Sequence, residues 1–256
     1  MTGEPSRVLS FREFIRRVDP HFIFYDHLEP IIELLLLVAD GALFRLMVFM
    51  PPRLGKSQLV SRLFCAYYVY LHSKRHVILT SYSATLALSL SRNARDNYLR
   101  VGGTSLVKTN EAEWSNGFGG GLLAAGVGGS ITGYGADLFV VDDPVKNSEE
   151  ASSPTIREKH KDWWRSTAYT RLMPGAAIII VQTRWHEEDL SGWLLAQEYA
   201  EGEEGVPVEG WHVAVMRALS DDDDAVLEMT IPGESAGMLS LREGQIIPSV
   251  RHCFPS

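Results

Sequence analysis

The stretch FMPPRLGKSQ, Phe49 to Gln58, constrains the fold more than any other part of the chain. An apolar run, Leu43 to Met50, precedes it, and a mostly apolar run long enough for a helix, Ser57 to Ser73, follows. HVILTSYS, His76 to Ser83, reads as a second strand. Strand, loop, helix and strand within about forty residues make a βαβ unit. A bare Gly-Lys-Ser carries little weight alone. At the turn from a strand into a helix, however, it sits where backbone N–H groups and the helix N-terminus bind phosphate. On this reading the N–H groups of Leu54, Gly55, Lys56, Ser57 and Gln58 face phosphate oxygens, Lys56 reaches the β/γ-phosphates and Ser57 holds Mg²⁺. The usual first glycine of such loops is here Met50, so the loop enters by a different path, stiffened by Pro51 and Pro52.

Two further strand ends carry chemistry. DLFVVDDP delivers two carboxylates at the end of a buried strand, Leu138 to Val141, that stops at Pro144. Beside a phosphate loop, Asp142 is expected to bind Mg²⁺ directly or through water, and Asp143 to polarise the attacking water. IIIVQTRWHEEDL ends a third apolar strand in Gln182, Thr183 and Arg184, polar groups placed to sense the γ-phosphate. The following run, His186 to Asp189, lacks the HExxH spacing of a metal site and reads as an acidic first helical turn.

The remaining pattern is alternating. Residues 11–40 read as helical, a helix is expected over roughly Ala84 to Leu99, and a glycine-dense excursion precedes DLFVV. Residues 151–172 look helical, a strand starts at Ala176, a helix runs from near Glu187 to Tyr199, and WHVAVMRA is a last strand. Beyond Ser220 no period is sustained. The expected class is α/β, with a mostly parallel central sheet flanked by helices. The expected division is a helical lead-in over 1–42, a nucleotide-binding core over 43–218 and an irregular tail over 219–256.

Two distant cysteines, Cys65 and Cys253, suggest neither a disulfide framework nor a zinc site, and the apolar run Leu34 to Leu37 is far too short to span a bilayer. A net charge of −8 argues against a protein that coats nucleic acid. Contact with a polyanion would be local. The best candidate is residues 157–171, where Arg157, Lys159, Lys161, Arg165 and Arg171 stand against Glu158 and Asp162. Lys161 and Arg165 are the expected DNA contacts.

Taken together, MPPRLGKSQ, SYSATLALSLSRNARD and the long block from GVGGSITGYGADLFVVDDP to QTRWHEEDL resemble the large terminase subunit of tailed bacteriophages, from about Ser10 to about Val215. The resemblance implies an ASCE-type (RecA-like) P-loop ATPase, with ATP and Mg²⁺, that drives double-stranded DNA into a procapsid. It further implies a ring of subunits docked on the portal protein, a small terminase subunit as partner, no membrane, and the host bacterial cytoplasm as location. By position, Walker A falls on Met50 to Ser57, including Pro52, and Walker B on Leu138 to Asp143; the coupling motif is Gln182 to Arg184. Arg53 matches an arginine to which this family ascribes a catalytic or sensing role, beside Lys56 and Asp143. Tyr25 and His27 lie where the family tends to hold the adenine base, although helix capping explains them equally well.

Three departures stand out. Walker B ends Asp-Asp where many relatives have Asp-Glu. Tyr134 stands where some relatives carry a basic residue. The stretch after Val215 is too short for the RNase H-like nuclease of large terminases, and the acidic run Asp221 to Asp224 is no substitute, since two-metal cleavage needs acids converging from separate elements. No nuclease activity is therefore expected. A helicase-like P-loop motor and an inactive prophage relic are the alternative readings.

Overall fold

The computed structural model describes residues 8–103, 105–131, 133–201, 209–216 and 227–230. The chain begins with α1 (Phe11–Val18), opened by a capping box in which Ser10 and Glu13 satisfy each other's backbone N–H groups. After Pro20 a short 3₁₀ turn leads into α2 (Glu29–Ala39). The single helix expected over 11–40 is thus two. Pro20 disfavours the helical region for the residue before it, and Asp19 has φ −137° and ψ 83°.

β1 (Arg45–Phe49) enters the phosphate loop, and a π-helical turn over Gln58–Phe64 leaves it and continues as α3 (Cys65–Leu71). Next come β2 (His76–Ser81) and α4 (Ala84–Arg100). Between α4 and the carboxylate-bearing strand come β3 (Leu106–Thr109), β4 (Glu113–Asn116) and, within the glycine-dense stretch, β5 (Gly121–Gly126). β3 and β4 form an antiparallel hairpin ahead of the glycine-dense stretch, whereas β5, within it, pairs in parallel with β2. β6 (Ala136–Asp142) carries the two carboxylates to its end.

The helix expected over 151–172 is broken into α5 (Ser148–Ser152) and α6 (Pro154–Trp163), because Pro154 holds Ser153 in an extended conformation. A π-helical and then a 3₁₀ turn follow, and β7 (Leu172–Gln182) starts four residues before the expected Ala176. α7 (Leu190–Glu201) starts three residues after the expected Glu187, and β8 (His212–Met216) matches WHVAVMRA. β9 (Leu227–Thr230) lies beyond the expected end of the core and pairs antiparallel with β8.

The sheet has nine strands in the order β3-β4-β5-β2-β6-β7-β1-β8-β9 among the described residues. The six from β5 to β8 are parallel, and antiparallel strands close both edges. Helices cover both faces, which explains why β6 and β7 read as unbroken apolar runs. On one face Leu46, Val48, Leu79, Val140 and Ile179 meet α1 to α4. On the other, Met47, Phe139, Val141 and Ile180 meet Trp163, Trp164 and α7. The lead-in helices are part of this core: Phe11, Phe14 and Ile15 are fully buried in it. Among the described residues no helix is long and apolar enough to cross a membrane.

Candidate nucleotide site

β1, β6 and β7 end side by side, so the chain segments that follow them converge at one sheet edge. The loop after β1 is bound to its neighbour by the bond from Met50 N–H to Gln182 O, 3.1 Å, and by Thr183 Oγ1 donating to Met50 O, 3.2 Å. From the other side His27 Nε2 contacts Leu54 O at 3.2 Å, and Gln58 donates to Asp19 at 3.1 Å. The helical lead-in therefore clasps the loop directly. Tyr25 stacks on His27 at 5.5 Å and is half exposed, which places both beside the loop.

Arg53 (φ 67°) and Asp143 (φ 46°) are the two non-glycine residues with positive φ among the described residues. Such backbone is sparsely populated for residues with a Cβ and persists where the surroundings over-determine it. Asp143 shows how. Its N–H donates to Val181 O and its carbonyl accepts from Tyr82 N–H, so the ends of β2 and β7 hold it. Its Oδ1 accepts from Thr183 N–H at 2.8 Å, and its Oδ2 faces Lys56 Nζ at 2.9 Å. Arg53 is exposed and makes no ion pair among the described residues. Gly55 (φ 89°) supplies the second unusual turn of the loop.

Asp142 is fully buried. Ser57 Oγ donates to Oδ1 at 2.9 Å and Ser61 Oγ donates to Oδ2. Burial pushes its carboxyl up to about 6, against the two hydroxyl bonds, with the neighbouring Asp143 charge adding to the rise. A hydroxyl and a carboxylate are the hard oxygen donors Mg²⁺ prefers. Among the described residues no group of three or more His, Cys, Asp or Glu side chains could hold a metal alone, so an ion here would take its other ligands from phosphate and water.

The three residues expected to couple divide. Thr183 joins Asp143 and the phosphate loop, whereas the side chains of Gln182 and Arg184 engage Asp189. Gln182 is fully buried and donates to Asp189 at 2.9 Å; Arg184 Nε lies 2.8 Å from the same carboxylate and its guanidinium covers the Phe49 ring at 4.8 Å. Arg184 also donates to the carbonyls of His186 and Glu187. Asp189, whose carboxyl burial raises, caps α7 by accepting from Gly192 N–H at 2.9 Å. So the run read as a first helical turn is a stapled loop with its last carboxylate as the cap. A Cβ at Gly192 would meet Glu187 O at 1.7 Å, which is why glycine stands there.

The expected DNA contacts lie in α6 and the turn that follows it, each already partnered within the chain. Lys161 pairs with Glu158 at 3.3 Å, while Arg165 lies 3.8 Å from Glu158 and stacks on Trp193 at 4.7 Å. Arg157 is buried and donates to Ala151 O. Tyr134 hydrogen-bonds Glu113, and Lys108 reaches both. The acidic run Asp221 to Asp224 falls outside the described residues. Sequence reasoning misses Ser61; its spacing of four residues from Ser57 is the available signal.

A mostly parallel sheet with a glycine-lysine-serine loop after β1 and a carboxylate pair at the end of β6 defines a P-loop nucleotide-binding domain. The family described as "Terminase large subunit, T4likevirus-type, N-terminal" matches residues 47–234. The chain belongs to that family. The crystal structure of the HK97 bacteriophage large terminase superposes with a TM-score of 0.54 at 13% identity, over 83% of this chain and 45% of that one. This chain thus spans under half the length of that terminase, and the likeness concerns the fold. The large terminase of a thermophilic bacteriophage in complex with ADP is similar at 10% identity, over 58% of this chain and 37% of that one, with a TM-score of 0.35 that adds nothing to the assignment. No curated protein matches.

Proposed function

We propose that this chain is the ATPase of a viral genome-packaging motor, hydrolysing ATP to move double-stranded DNA into a procapsid. The observation that carries the reading is the convergence of Lys56, Ser57, Asp142, Asp143 and Thr183 at one sheet edge. Backbone N–H groups of Leu54 to Gln58 bind the phosphates, with Pro52 and Arg53 shaping the loop's entry. Lys56 neutralises charge on the transferring phosphoryl group, and Arg53, exposed and without an ion pair among the described residues, is free to join it. Ser57 and Asp142 would hold Mg²⁺, which supplies Lewis-acid polarisation of the phosphate oxygens. Asp143, released from Lys56, orients the attacking water and accepts its proton. Thr183 ties that carboxylate to the loop, so loss of the γ-phosphate is felt at the end of β7. By family membership the partners are the portal protein, the small terminase subunit and further copies of this chain in a ring, within the host bacterial cytoplasm and at the portal vertex.

The test is the ATPase rate with and without duplex DNA and portal-bearing procapsids. Stimulation by both, abolished in Lys56→Ala, is the expected result. Stimulation by single-stranded DNA with strand separation would instead mark a helicase-like motor, and no turnover under any condition an inactive relic.

A further inference from the structure

Asp142 sits at the end of β6 between Ser81 of β2 and Val181 of β7. Neither neighbour's side chain donates to it: Val181 cannot, and the buried Ser81 hydroxyl has no hydrogen-bond partner among the described residues. The carboxylate is fully buried, and its hydrogen-bond donors among the described residues are the hydroxyls of Ser57 and Ser61. Ser61 is itself fully buried, one turn beyond Ser57, in the π-helical turn whose widened ladder closes with Cys65 N–H on Val60 O. Such turns inside α-helices are frequent at functional sites. The two hydroxyls are not equivalent. Ser57 lies at the mouth of the loop and is the one placed to ligate a metal, whereas Ser61 lies deeper and has Asp142 as its target.

We infer that Ser61 is a positioning residue for the metal-site carboxylate: it anchors Asp142 Oδ2 so that Oδ1 stays aimed at the ion when Ser57 turns its hydroxyl to the metal. This rests on the nucleotide-site reading above. Without Ser61, a buried carboxylate would keep no fixed donor at the moment its orientation matters, and such outer-shell partners are typically worth 10–100-fold in metal affinity.

The experiment measures binding of a fluorescent, non-hydrolysable ATP analogue in excess EDTA and across a Mg²⁺ titration, for wild type, Ser61→Ala, Asp142→Asn and the double variant. Ser61→Ala is expected to leave metal-free affinity within about twofold and to raise the half-saturating Mg²⁺ concentration about tenfold. In the Asp142→Asn background it should add no further shift. If Asp142→Asn shifts the Mg²⁺ dependence while Ser61→Ala does not, or if the Ser61 effect persists in full without Asp142, the inference is overturned and the metal site stands. No shift from Asp142→Asn would sink the metal-site reading itself. Should Ser61→Ala fail to fold, Ser61→Cys, of similar size and a weak donor, must show an intermediate shift; wild-type behaviour there would also overturn the inference.

Discussion

Lys56 Nζ lies 2.9 Å from Asp143 Oδ2, so the cation expected to meet phosphate is paired with the carboxylate expected to activate water. On the proposed function, nucleotide must separate the pair before either group acts. Asp143→Asn removes the competing charge while keeping the shape. It is expected to bind a non-hydrolysable ATP analogue several-fold more tightly than wild type and to hydrolyse ATP roughly 10² more slowly. Equilibrium titration and steady-state turnover check the two halves. Weaker binding would show that the pair does not compete with nucleotide. Asp143→Glu, which lengthens the acid by one methylene, should retain measurable turnover.

Asp142 gives a pH signature in the nucleotide-free protein. Its carboxyl is pushed up to about 6 from 3.8, so between those values the folded chain keeps a proton the unfolded chain has released. The stability this contributes is complete below the lower value and is lost as pH rises through the upper one. Asp142→Asn is therefore expected to stabilise the free protein at pH 8 by about 2–3 kcal/mol, with the gain vanishing near pH 4. Urea unfolding at the two pH values measures it, and a destabilised variant at pH 8 would contradict the assignment.

Arg53 holds a backbone conformation that favours glycine. Arg53→Gly should raise stability by about 1 kcal/mol through relief of strain, while Arg53→Ala should not. If Arg53 also serves catalysis, both variants lose turnover. Thermal melting beside ATPase assays separates the two effects.

Arg184 is expected to act as a staple of the 184–189 loop. Arg184→Ala leaves Asp189 buried without its cation and should cost about 3 kcal/mol, with little change in analogue affinity at temperatures where the variant is folded. A large loss of nucleotide affinity in a stable variant would return Arg184 to a sensing role.

Lys161 and Arg165 are already balanced by Glu158 and Asp162, so phosphate contact there must displace existing pairs. If these residues grip DNA, reversing both charges should flatten the salt dependence of duplex affinity, by a slope of about 1 per lost phosphate contact. An unchanged slope would assign the stretch to a solvated helix face.

The βαβ start, the buried strands and the pairing of loop with carboxylates were legible because each leaves a local trace: a change of hydrophobic period, a turn residue, a strand end. The helix breaks at Pro20 and Pro154 had a local signal too, since each proline disfavours helical backbone in the residue before it. Other features were not local. β5 reads as a glycine-rich loop, since Gly121 and Gly126 pack against neighbouring backbone where a Cβ would collide, and only the tertiary partner reveals the strand. Gln182 and Arg184 carry the polar character of sensors, yet their side chains are consumed by Asp189, a contact set by where α7 begins.

The sheet order also governs when the site can come into being. β1, which carries the phosphate loop, pairs only with β7 and β8 among the described strands, both made long after it, whereas β2, β5 and β6 can zip together earlier. On a ribosome the loop's strand waits, apolar and unpaired, until β7 has emerged. Nascent chains arrested with β7 still in the exit tunnel should expose β1 to protease and fail to bind nucleotide. Chains released past β8 should do neither, so nucleotide binding reports a finished fold and a half-made subunit stays silent.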